Sequence, residues 1–141
     1  MYRDLEPAEV PFSQEITRII EEFAASLGLK AESFYHDTAR WIITDPYQED
    51  VWLRNLQVIG ILRDNQPYLC LIPCIYTDDH RTNTRTLPKC APPELVVEVR
   101  INRPTKRVLV SALQSCWEAC EKLKSYPGLE MTKSNLRPLP S

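Results

Sequence analysis

The sequence predicts an α+β domain: a mainly antiparallel sheet of four to five strands with an N-terminal and a C-terminal helix packed on it, in the order α-β-β-β-β-α. Two stretches with helical spacing and a β-rich stretch between them predict this class. The 141 residues show no internal repeat, and a chain of this length is usually one domain. We expect an extended lead-in over residues 1–12, a single domain over residues 13–126 and a loose tail over residues 127–141.

The first helix is predicted by apolar residues that recur on one face at a spacing of three and four. They are Ile16, Ile19, Ile20, Phe23 and Leu27. Ser13 is a good N-cap candidate, because its hydroxyl can accept a hydrogen bond from a backbone N–H of the first turn. Gly28 suits the position after the helix, where a left-handed residue is common.

The middle of the chain is rich in β-type residues. Residues 29–44 favour one or two short strands, which end in a D-P turn. Residues 56–63 and 67–76 have the pattern of two strands, and the short connection D-N-Q-P between them predicts a hairpin. Both strands are apolar on both faces, which is typical of central strands covered on each side. Pro73 cannot donate to a ladder and therefore predicts an edge or a bulge.

The last third of the chain repeats the strand and helix patterns. Residues 77–92 are polar and have no periodicity, which predicts a long loop. Residues 94–101 alternate between apolar and polar side chains, as in a half-buried strand. A helix is predicted from an N-cap at Thr105 to residue 124. Its apolar stripe is Leu109, Leu113, Cys116, Cys120 and Leu123.

Composition and cysteine usage predict a cytoplasmic protein without a cofactor. Five Cys is an odd number, and their spacing matches no disulfide framework, which favours reduced thiols. Residues 1–11 are acidic and contain Pro, unlike a signal peptide, and no apolar run is long enough to span a bilayer. Three Gly exclude a glycine-rich phosphate loop. Cys116 and Cys120 share the helical apolar stripe, so we interpret them as core residues and predict no metal site.

A basic turn after residues 94–101 is the candidate binding site. The net charge is −2, but residues 1–50 hold 11 acidic and 4 basic side chains, which leaves the rest of the chain at +5. Two bases in the first turn of a helix oppose the helix dipole, and a bound anion would relieve that repulsion. The alternative is a solvated turn that Glu94 and Glu98 partly neutralise. The predicted binding residues are Arg100, Arg103, Lys106, Arg107, Arg81, Arg85 and Glu98.

The segment Glu98-Val99-Arg100 follows an apolar hairpin and precedes a helix. It resembles the strand of restriction-endonuclease-like nucleases, in which an acid–x–Lys motif binds a metal ion and positions water, although Arg replaces the Lys here. The resemblance implies a second acid from Asp64, Asp78 or Asp79 and a third from Glu22. Such chemistry needs at least two carboxylates within reach of one Mg²⁺ ion.

The sequence contains no Ser/His or Cys/His catalytic pattern, and we therefore predict a non-catalytic interaction or accessory module that binds an anionic or protein partner. One alternative is a metal-dependent nuclease-type hydrolase that uses Glu98 with Asp64 or Asp79. The other is a nucleic-acid-binding module that uses the basic turn 100–107. Residues 94–101 could form an edge strand that pairs with a second copy, so a homodimer is a further expectation, and a membrane partner is not expected.

Overall fold

The computed structural model of the chain describes residues 2–45, 52–79, 84–86, 89–90, 93–102, 106–123 and 136–138. Its helices are α1 (Ser13–Ser26) and α2 (Lys106–Lys122), and short 3-10 helices span Pro7–Glu9, Tyr35–Asp37 and Pro93–Leu95. The strands are β1 (Tyr2–Asp4), β2 (Lys30–Ser33), β3 (Arg40–Thr44), β4 (Trp52–Arg63), β5 (Gln66–Asp79), β6 (Thr84–Thr86), β7 (Lys89–Cys90), β8 (Val97–Arg100) and β9 (Leu136–Pro138). An antiparallel sheet with an N-terminal and a C-terminal helix confirms the α+β class.

The sheet is built around the β4–β5 hairpin. Its two-residue turn, Asp64-Asn65, has φ angles of 50° and 61°, as in a type I′ turn, whose twist matches that of the flanking strands. The predicted hairpin is confirmed, and both strands are longer than the sequence indicated. β3 and then β2 extend the sheet beyond β4, and the short strand β1 also pairs with β4. On the other side, β5 pairs with β8, β7 and β6 in turn.

The first helix carries most of the predicted stripe, since Ile16, Ile19, Ile20 and Phe23 are buried, but Leu27 follows the helix and is 52% exposed. Its N-cap prediction was wrong by one residue, because Phe12 is the cap in a left-handed conformation (φ 56°) and Ser13 is the first helical residue. Gly28 has a φ of 69°, which confirms the left-handed position after the helix. The N-cap predicted at Thr105 lies outside the described residues.

Both helices lie on the same face of the sheet. Directly opposite residues of an antiparallel sheet share a face, so Val58 and Leu71 point the same way, and both are fully buried in one cluster with residues of α1 and α2. We call this the helix face. The opposite side is the far face, formed by Asn55, Gln57, Ile59, Ile61, Tyr68, Cys70, Ile72, Glu98 and Arg100.

The apolar residues on both faces of β4 and β5 suggested cover on each side, but among the described residues the helices cover only one. On the far face, Ile59 and Ile72 are partly exposed, but Ile61 and Cys74 are buried, so this face is covered in part as well. Pro73 lies where the neighbour of β5 changes from β8 to β7, so its missing N–H falls at a break in the ladder. This confirms the predicted edge position.

The region predicted as a loop contains more strand than expected. Thr77 to Asp79 continue β5, and β6 and β7 fall inside residues 77–92, whose remaining residues lie outside the described part. The strand predicted over residues 94–101 begins three residues late, after the 3-10 helix Pro93–Leu95. None of the described helices is both long and apolar enough to cross a bilayer. The division into lead-in, domain and tail remains a prediction.

Candidate functional site

The predicted basic site is only partly described. Arg81 and Arg103 lie outside the described residues. Arg85 lies in β6 opposite Asp78, and its side chain is also outside the described set. Lys106 and Arg107 occupy the exposed first turn of α2. The geometry of the site therefore depends on these two residues together with Glu98 and Arg100 of β8.

Lys106 is engaged with the other helix. Its Nζ lies 2.8 Å from Oε2 of Glu22 on α1, and this hydrogen bond lowers the pKa of the Glu22 carboxyl. The contact joins the two helices at the protein surface. It also pairs one of the two charges that were expected to oppose the dipole of α2, which weakens the argument for a bound anion.

Glu98 and Arg100 have partners on the far face. Arg63 Nη1 donates to Glu98 Oε1 at 2.9 Å, and its Nη2 lies 2.6 Å from Oε2, so one guanidinium holds both carboxylate oxygens. The same guanidinium lies 4.8 Å from the ring centroid of Tyr68. Arg100 Nη2 donates to Oε1 of Gln66 at 2.7 Å. These contacts form a polar network along the outer strand of the sheet.

The sheet separates the two halves of the predicted basic site. Val99 belongs to the buried cluster of the helix face, and Arg100, the next residue along the strand, therefore points to the far face. Lys106 and Arg107 belong to α2, which packs on the helix face. In the described part of the chain, the basic residues thus form two small groups rather than one patch.

The carboxylates proposed for a nuclease site are far apart. Glu98 lies opposite Cys70, which is nine residues from Asp79 along β5, or roughly 30 Å at the rise of a strand. Asp64 lies in the hairpin turn beyond Gln66, which is already about 13 Å from Cys70 along the same strand. No group of three or more potential metal ligands occurs within the described ranges. This geometry disfavours a metal ion shared by these acids.

The helical cysteines are core residues. Cys116 and Cys120 are buried, and burial raises the pKa of their thiols to about 12 and about 11. Buried neutral thiols are poor nucleophiles and poor metal ligands. Cys70 and Cys74 lie on the far face and are also buried as free thiols.

A cleft that the sequence patterns did not predict opens between the two helices. This interhelix cleft has a volume of about 400 Å³ and lies at the end of the sheet where β3 ends and β4 begins. Its apolar lining is Phe23, Leu27, Leu29, Val110 and Trp117. Leu27 is 52% exposed at its rim. Concave apolar surfaces with a few polar groups are the usual form of binding sites.

Arg54 is the basic residue in the wall of the interhelix cleft, which Asp45 and Glu118 also line. Its guanidinium lies 4.5 Å from the centroid of the Trp117 ring, at a distance typical of a cation–π contact. Nη2 lies 3.5 Å from Asp45, and Nε lies 3.3 Å from Glu121. Alternation along β4 places Arg54 on the helix face, and the sequence analysis missed it because the predicted strand began only at residue 56.

A larger hollow of about 590 Å³ runs along the outer side of α1. Phe34 is its single aromatic side chain, and most of its walls are polar or charged residues of one helix. The interhelix cleft is the better candidate, because it combines aromatic, aliphatic and guanidinium groups from α1, β4, α2 and the connection after α1.

Comparison with family models, with curated proteins and with solved structures finds no match to this chain.

Proposed function

We propose that this chain is a non-catalytic protein-interaction module, and that a segment of a partner protein binds in the interhelix cleft. The observation that carries the proposal is the pairing of Trp117 with Arg54 in the wall of the cleft, beside the exposed side chain of Leu27. Tryptophan and arginine are the residues that most often dominate the energy of protein interfaces. A cleft open to solvent between two helices suits an apolar side chain presented by a peptide segment.

The described polar groups support a role without catalysis. Both oxygens of Glu98 are held by Arg63, and Lys106 is held by Glu22. These groups are engaged in ion pairs within the chain, which favours a structural role for them over a role as general base or metal ligand. Four free thiols in the described residues agree with a reducing, cytoplasmic setting, which we include in the proposal.

Site-specific photo-cross-linking in the native cell tests the cleft. Benzoylphenylalanine replaces Leu27 at the rim of the cleft, or, as the control, Phe12, which is 46% exposed at the other end of α1. We expect a cross-linked partner protein from position 27 and not from position 12. Equal yields from both positions, or no product from position 27, would contradict the cleft as the binding site.

A blocking variant makes this test sharper. Gln114→Trp adds bulk at an exposed α2 position that lines the cleft, and Ser111→Trp makes the same change at an exposed α2 position outside that lining. We expect Gln114→Trp to reduce the cross-link from position 27 severalfold and Ser111→Trp to leave it unchanged.

Two biochemical results would contradict the proposal directly. Mg²⁺-dependent cleavage of DNA or RNA that Glu98→Ala abolishes would establish the nuclease alternative. A nucleic-acid complex with steep salt dependence that Arg103→Glu removes would establish nucleic-acid binding at the basic turn. We expect neither activity from the purified chain.

A further inference from the structure

β8 is an outer strand of the sheet. In the described ranges it pairs with β5 and with no other strand. Ile101 N donates to Pro67 O at 2.9 Å, and backbone groups alternate in direction along a strand, so Val97, Val99 and Ile101 direct theirs toward β5. The backbone N–H and C=O groups of Glu98 and Arg100 therefore point away from the sheet. An outer strand with such groups is a template for pairing with another chain.

The side chains on this edge are self-complementary. An antiparallel pair of β8 strands centred on Val99 would place Glu98 of each copy opposite the partner's Arg100. Both residues direct their backbone groups outward, so this register forms two hydrogen-bonded pairs with Cα atoms about 5.5 Å apart. Opposite charges that face each other across strands are stabilising, and like charges are destabilising.

The neighbouring registers place like charges opposite each other. A shift of the pairing by two residues in either direction places Glu98 opposite the partner's Glu98, or Arg100 opposite the partner's Arg100. A shift by one residue is excluded, because it brings a residue whose backbone groups point toward the partner opposite one whose backbone groups point toward β5. One register therefore satisfies both the backbone and the charges.

In this dimer, the helices of both copies lie on the same face of the joined sheet. The two-fold axis runs perpendicular to the sheet between the two opposed Val99 residues, so both copies of α2 are on one side. Val110 and Trp117 of α2 line the cleft toward α1, and at about 100° per residue Val108 lies on the opposite flank of the helix. Val108 is 53% exposed, so an apolar side chain is available on the flank toward β8.

We propose that the chain forms a homodimer by antiparallel pairing of β8 with β8 of a second copy, with Glu98 opposite the partner's Arg100 at two equivalent positions. Within the chain, Arg63 and Gln66 contact these two side chains, but each Glu98 oxygen keeps a second lone pair that can accept from the partner's Arg100. The dimer uses residues outside the interhelix cleft, so it stands independently of the proposed function.

Sedimentation equilibrium over a dilution series tests the dimer. We expect the native chain to reach twice its mass of 16.3 kDa. Glu98→Arg or Arg100→Glu alone should raise the dissociation constant roughly tenfold or more, because each creates like charges at both pairs. An equimolar mixture of the two single variants should recover the dimer, as should the double variant Glu98→Arg/Arg100→Glu.

Arg63→Gln is the matched control, since it removes the intrachain partner of Glu98 without changing the edge. It should leave the dissociation constant within about threefold of the native value. A native chain that stays monomeric at the highest concentration would overturn the proposal. So would a dimer that both single charge reversals leave intact, or one that the mixture does not recover while all variants keep the native circular dichroism spectrum.

Discussion

The two faces of the sheet are made by the same strands and yet differ in every respect that matters for function. On the helix face, Val58, Leu69 and Leu71 are fully buried beneath α1 and α2. On the far face, Ile59 and Ile72 are partly exposed, and Arg63 and Glu98 form an ion pair. The far face nevertheless buries Ile61 and Cys74, so among the described residues the two faces differ in degree of burial.

The comparison assigns different roles to the two faces. The helix face carries the folding energy, because burial of apolar surface is the main stabilising term. The interhelix cleft lies at the end of this layer, and the β8 edge carries Glu98 and Arg100 of the far face. Both proposed contact surfaces thus lie at the margins of the core rather than within it.

The largest difference in stability is expected between two neighbouring residues of β5. Leu71→Ala should lower the free energy of unfolding by about 2–5 kcal/mol, because it leaves a cavity in a fully buried site. Ile72→Ala should cost clearly less, since Ile72 is partly exposed on the other face. Urea unfolding measures both values. Equal losses would mean that the far face is packed as tightly as the helix face.

The buried thiols of α2 should make the stability of the chain depend on pH. Their pKa values of about 12 and about 11 lie above the ordinary 9.0, so the folded chain keeps protons that the unfolded chain loses above pH 9. The free energy of unfolding should therefore be unaffected by these thiols below pH 9 and should fall as the pH rises toward 11.

Urea unfolding at pH 8 and at about pH 10 measures this slope. The variant Cys116→Ala/Cys120→Ala should lose less stability over the interval than the native chain. Cys70→Ala on the far face provides the matched comparison. Burial also raises the pKa of Cys70, so that variant should change the slope in the same direction. Identical slopes for the native chain and the double variant would show that the thiols of α2 are not shielded.

The smallest effect is expected at the surface ion pair between the helices. Lys106 and Glu22 are 67% and 51% exposed, so solvent screens their attraction. Lys106→Gln should leave the melting temperature essentially unchanged, as should the control Arg107→Gln. A large loss from Lys106→Gln alone would mean that surface charge, and not the apolar core, holds the helix layer together.

Much of the fold could be predicted from local patterns. The spacing of Ile16, Ile19 and Phe23 defined the buried side of α1, and the short polar connection between two apolar runs defined the hairpin. The Phe12 cap could not be predicted, because a left-handed aromatic residue at a helix start runs against local preference. β1, β6, β7 and β9 are too short to give a period.

The candidate sites were less predictable, and for two different reasons. The interhelix cleft depends on how α1, β4 and α2 pack, so no segment of the sequence contains its pattern. The separation of Arg100 from Lys106 was within reach of the sequence. Alternation around Val99 places Arg100 on the face away from the helix, whereas proximity along the chain suggested one patch.

Methyl NMR with a soluble paramagnetic agent tests the contrast between the two faces most directly. In a chain labelled at isoleucine δ1 methyl groups, the signals of Ile59 and Ile72 should broaden as the agent is added. The signals of Ile43 and Ile75, which are fully buried on the helix face, should remain sharp. Equal protection of all four methyl groups would contradict the account, because it would mean that both faces of the sheet are covered.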